Sequence, residues 1–108
     1  MAAPLRQRRL LSTRRAVAPE RVGEYLEHWA RVRAAVEERG GHAWLFQAAG
    51  GEALFIEFIE WKQAPGEEGL PERPEVGEAR RALDAAFGRG QEEGWREAPI
   101  VAGDVEGE

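Results

Sequence analysis

Cysteine is absent from this chain, so it has neither disulfides nor thiolate metal sites, and nothing points to an oxidising compartment. Asparagine is also missing, there is one serine (Ser12) and one lysine (Lys62), and fourteen of the fifteen basic residues are Arg. With its lone serine outside any nucleophile elbow, the sequence offers no serine-hydrolase signature. No apolar run approaches the roughly 20 residues that a membrane-spanning helix needs. Two histidines without ligand spacing do not make a zinc site, and no metal or other cofactor is expected. The fragments Gly50-Gly51 and Gly88-Arg89-Gly90 lack the strand-to-helix setting of a phosphate loop and read as turns and caps.

What is present is a globular composition, 43% hydrophobic and 32% charged over 108 residues, enough for one modest core. Residues 1–108 therefore read as a single domain with a frayed acidic tail from about 103, and a cytoplasmic location is the default expectation. The net charge of -5 is uneven. Arg6, Arg8, Arg9, Arg14 and Arg15 precede the first acid, which leaves the rest near -10 and disfavours polyanion binding. An Arg-rich start also fits an organelle transit peptide, but Leu5, Leu10, Leu11 and Val17 make no helical stripe, and a first strand over Leu5–Val17 is the better reading.

Pro19 opens a helix through Arg39, whose Val22, Tyr25, Leu26, Trp29, Val32 and Val36 recur at three- and four-residue steps until Gly40-Gly41 stop it. Strands over His42–Ala48 and Ala53–Trp61 follow as a hairpin. With Gly50 and Gly51 as a two-residue turn, Trp44 lies opposite Glu57, Phe46 opposite Phe55 and His42 opposite Ile59. One face then carries Ala43, Leu45, Gln47, Leu54, Ile56 and Phe58. The other carries His42, Trp44, Phe46, Phe55, Glu57, Ile59 and Trp61. Gln63–Pro74, rich in Pro, Gly and acids, reads as a loop, Pro74–Phe87 as a second helix, and Trp95–Ala102 as a final edge strand interrupted by Pro99.

The order βαββαβ predicts an α+β, ferredoxin-like domain: a four-stranded antiparallel sheet, order 4-1-3-2, with two helices on one face. The other face has no helix of its own. If Trp44, Phe46, Phe55, Ile59 and Trp61 lie there, a second copy packed sheet to sheet would keep them from water. A homodimer is therefore the expected assembly, with a hydrophobic small molecule as a further expected partner. The same order occurs in RNA-recognition modules, but Glu57 and Glu60 accompany the strand aromatics and no basic residue precedes Lys62 there. Neither nucleic acid nor membrane is an expected partner.

The helix YLEHWARVRAAVEERGG, the strand ALFIEFIEW and the element order resemble the dimeric α/β-barrel superfamily, which includes antibiotic biosynthesis monooxygenase-like and haem-degrading proteins. The resemblance implies two subunits packed sheet to sheet around a cavity and, in some members, oxygenation without metal or flavin. It does not transmit a reaction. The haem-degrading pattern of an Asn on the first strand, a Trp on the third and a His on the second helix fails here: Trp61 matches, but there is no Asn, and Pro74–Phe87 holds no His.

Glu57 and His42 are the acid-base candidates, and Trp44, Phe46, Phe55, Trp61 and Arg9 the ligand-binding ones. An apolar face, where desolvation would favour the neutral form of a carboxyl, would suit Glu57 to acid or base work, unless an Arg of the first strand such as Arg9 pairs with it structurally. His42 begins a strand and either moves protons or is a hydrogen-bonded rim residue. Trp44 and Trp61 either stack on a flat ligand or anchor a dimer interface. A non-enzymatic regulatory or stress-related dimer is the alternative to an oxygenase-like enzyme.

Overall fold

The computed structural model describes residues 6–98. Within them the chain runs β1 Gln7–Ala16, a 3₁₀ turn Pro19–Arg21, α1 Val22–Glu38, β2 His42–Gln47, β3 Leu54–Gln63, a second 3₁₀ turn Leu70–Glu72, α2 Pro74–Phe87 and β4 Gln91–Arg96. All strand pairs are antiparallel, in the order β2-β3-β1-β4, the expected 4-1-3-2 arrangement. The fold is ferredoxin-like, with α1 and α2 packed together on one side of the sheet.

The stripe of α1 buries Tyr25, Trp29, Val32 and Val36. At its end Gly40 takes φ +86°, and the N–H groups of Gly40 and Gly41 donate to the carbonyls of Glu37 and Val36, both at 3.0 Å. This is a Schellman stop, which satisfies carbonyls that the helix itself cannot pair. From α2 come Val76, Gly77 and Leu83, and the sheet adds Ala43, Phe55 and Ile59.

The hairpin differs from expectation by one residue. Ala48 N–H donates to the Leu54 carbonyl at 2.9 Å, which closes a loop over 49–53 in which only Gly51 has positive φ (+88°). Five loop residues replace the two-residue turn, so Trp44 faces Phe58, Phe46 faces Ile56, Leu45 faces Glu57 and His42 faces Glu60. Because side chains alternate with a period of two, that step moves all of β3 to opposite sides. Phe55, Glu57, Ile59 and Trp61 lie under the helices, whereas Leu54, Ile56, Phe58 and Glu60 join Trp44 and Phe46 on the helix-free face.

The last strand begins four residues earlier than expected, at Gln91. It is an edge strand exposed along its length, so it lacks the apolar alternation that marks strands in sequence, and pairing with β1 defines it. Pro99 and the acidic tail lie outside the described residues. No described helix is long and apolar enough to cross a membrane.

Candidate functional site

The helix-free face is built from alternate residues of four strands. It presents Trp44 (43% exposed), Phe46 (56%), Leu54 (50%) and Trp95 (51%), with Leu10, Ile56 and Phe58 between them. Its aromatics contact one another: His42 stacks on Trp44 with ring centres 5.9 Å apart, and Phe46 meets Phe58 edge-on at 5.8 Å. The indole N–H of Trp95 donates to Ser12 Oγ at 3.0 Å, which holds its ring across β1.

Three concavities border this face. A groove of about 700 Å³ lies at the end of the sheet where β1 and β2 finish, between Phe46, Leu54, Ile56 and Phe87, with Arg14 and Arg89 on its walls. At the opposite end a smaller one of about 380 Å³ lies between Trp44, Phe58 and Trp95. A third, of about 640 Å³, is polar: His42, Glu60, Trp61 and Lys62 line it together with Arg39 and Arg73. These volumes fall within the range of small-molecule sites.

Glu57 is not on that face. Its carboxylate is 6% exposed and sits beneath the helices, where Arg15 Nε donates to Oε2 at 2.8 Å and the Tyr25 hydroxyl donates to the same oxygen at 2.5 Å. The Arg15 guanidinium, 4% exposed, also donates to Asp84 Oδ1 at 3.1 Å and to the carbonyl of Gly88, the residue that ends α2. A cation near a helix C-terminus is favoured by the unpaired carbonyls there. Burial opposes the charge on Arg15, but the hydrogen bonds and attraction of Glu57 and then Asp84 outweigh it, and its pKa lies above the ordinary value. Burial, followed by the adjacent Glu57 charge, holds the Tyr25 phenol well above its usual range. Among the described residues, Glu57 borders a void of about 10 Å³, room for about one water and no substrate.

The expected partner Arg9 is replaced by Arg15. Arg9 lies opposite Trp61, four residues along β3 from Glu57 and so roughly 13 Å away, and its Nε donates to Gln7 Oε1 at 3.1 Å. Phe55 is core, with its ring centre 4.9 Å from that of Tyr25. Trp61 is partly buried on the helix side and donates to Gln63 Oε1 at 2.8 Å. Of the expected site residues the structure thus brings His42, Trp44 and Phe46 to the helix-free face and encloses Glu57 and Phe55. Sequence reasoning passed over Tyr25, Arg15 and Asp84. The signal for Tyr25 was available: it is the chain's lone tyrosine and falls on a buried helix stripe, where a hydroxyl needs a partner.

No protein-family model matches the chain, and no curated protein matches it. Solved structures do. A candidate antibiotic biosynthesis monooxygenase from Caulobacter crescentus superposes with TM-score 0.66 at 11% identity, covering 91% of this chain and 94% of the other. The cofactor-independent oxygenase SnoaB from Streptomyces nogalater gives 0.54 at 13%, covering 93% and 97%. A dimeric ferredoxin-like protein of unknown function from Thermobifida fusca gives 0.52 at 18%, covering 92% and 96%. At such identities the likeness is one of fold: the chain has the ferredoxin-like architecture of the antibiotic biosynthesis monooxygenase-like proteins.

Proposed function

We propose that the protein is a homodimer whose two helix-free faces pack together, and that it holds an apolar small molecule in the groove at the end of that face. The observation that carries this reading is the exposure of Trp44, Phe46, Leu54 and Trp95 on one surface. Completing the burial of each adds up to roughly 1.5 kcal/mol, about half the full value for a large apolar side chain. An apolar patch of this kind favours association, and a two-fold pair covers it on both copies at once. The dimeric state of the Thermobifida fusca protein supports the assembly, and the oxygenase activity of SnoaB supports a monooxygenase-like reaction without cofactor.

A second reading, a non-enzymatic regulatory or stress-related binding dimer, is favoured by Glu57. Closed off by Arg15 and Tyr25, this carboxylate presents no acid-base group to the groove, and His42, the exposed candidate, borders a different concavity. Sedimentation velocity at micromolar concentration tests the assembly: a dimer is expected, and Phe46→Asp should yield monomer. A wild-type monomer would refute the covering argument. Oxygen consumption over a panel of apolar phenols separates the two readings, since uptake supports the enzyme and binding without uptake supports the module.

A further inference from the structure

We infer that the groove at the end of the helix-free face selects organic anions, taking an apolar carboxylate whose charged end is held by Arg14 and Arg89. The inference deepens the small-molecule reading above and rests on it. Three arginines line this groove. Arg15 is committed below the sheet to Glu57, Asp84 and the Gly88 carbonyl. Arg14 and Arg89 form no ion pair with any carboxylate among the described residues, as is also true of Arg9, Arg31, Arg81 and Arg96, but of these six only Arg14 and Arg89 line the groove.

Backbone packing brings the two residues to one groove. Gly90 lies against β1 so closely that a Cβ there would stand 2.6 Å from the Arg14 carbonyl oxygen, which seats the segment carrying Arg89 beside Arg14. The groove is also lined by Phe46, Leu54, Ile56 and Phe87, with Ile56 the cross-strand neighbour of Arg14. A guanidinium presents a planar fork of donors that matches a carboxylate, and two of them beside an apolar wall favour a ligand with one anionic end and one apolar body. The volume of about 700 Å³ holds a two-ring molecule. Both arginines are exposed, so a neutral ligand leaves them hydrated at little cost, and selection comes from the charge-assisted hydrogen bonds that only an anion makes with them.

Isothermal titration of the full chain with 2-naphthoate and with its neutral isostere 2-naphthamide tests this, alongside sedimentation of each protein used. Naphthoate is expected to bind at least about tenfold more tightly than the amide, a difference of about 1.4 kcal/mol. Arg14→Gln and Arg89→Gln should each weaken naphthoate about fivefold or more, leave the amide unchanged and leave the sedimentation coefficient unchanged. Equal affinity for acid and amide would overturn the inference, as would naphthoate binding indifferent to both substitutions. A shift of the dimer equilibrium without loss of naphthoate affinity would assign the arginines to a second copy of the chain instead, and also overturns it. If naphthoate shows the expected selectivity on a monomer, the anion site stands and the dimer reading falls.

Discussion

Replacing Glu57 with Gln should destabilise the domain by about 3–5 kcal/mol, the range observed when one member of a buried ion pair is removed. The magnitude follows from the surroundings. Arg15 and Glu57 have side chains only 4% and 6% exposed, so the guanidinium left behind cannot regain hydration, and one oxygen of Glu57 accepts both Arg15 Nε and the Tyr25 hydroxyl. Asp84, 3.1 Å from Arg15 and 27% exposed, compensates in part and places the expected value toward the lower end. For a domain of this size a loss of about 3 kcal/mol lowers the melting temperature by more than about 10 °C. Urea denaturation of wild type, Glu57→Gln, and the double variant Arg15→Met with Glu57→Leu measures it. The double variant should still be more stable than the single, because it leaves no buried charge unpaired, although the Tyr25 hydroxyl loses its acceptor at a cost of about 1–3 kcal/mol. A single variant within about 0.5 kcal/mol of wild type, or a double variant less stable than the single, would refute the account of the cluster.

Tyr25 allows a test by pH, because the chain has no other tyrosine. Its folded pKa is raised, so below the usual value near 10 both folded and unfolded forms keep the proton and stability is unaffected. Above that pH the unfolded chain releases the proton and the folded one does not, so stability falls as pH rises. Ultraviolet difference spectra should show tyrosinate only as the protein unfolds, and Tyr25→Phe should remove this alkaline dependence while lowering neutral-pH stability by about 1.5–3 kcal/mol. Early tyrosinate in a folded protein would contradict the burial of that hydroxyl. Gly41→Ala should cost about 1–3 kcal/mol in the same denaturation assay, since its methyl would overlap Leu70 Cδ2 and meet the Glu60 carbonyl and Val36 Cγ1 at 3.0 Å. A neutral result there would show that Leu70 swings aside freely.

Elements with strong local signals were legible in the sequence. Proline and paired glycines frame both helices, and their apolar steps point to the core that the structure contains. Strand order followed from element order alone. The side each β3 residue takes was not legible, because both alternating sets, Leu54-Ile56-Phe58 and Phe55-Ile59-Trp61, are apolar enough to be core. Hydrophobic periodicity cannot choose between two such faces. The decisive clue was polar: Glu57 needs a buried partner, and Arg15 and Tyr25 are the residues that provide one. The start of β4 was hidden for the opposite reason. Gln91, Glu92 and Glu93 carry no pattern, being held only by an antiparallel neighbour.

The five residues at 49–53 consequently do more than join two strands. Their number determines which half of β3 becomes interior, in a segment whose apolar residues would accept either choice. Shortening the connection by one residue while β2 kept its orientation would send the Glu57 charge outward and turn Ile56 and Phe58 inward, stranding Arg15 in an oily interior. The length of this tip is thus a setting that point substitutions leave untouched and a one-residue deletion reverses.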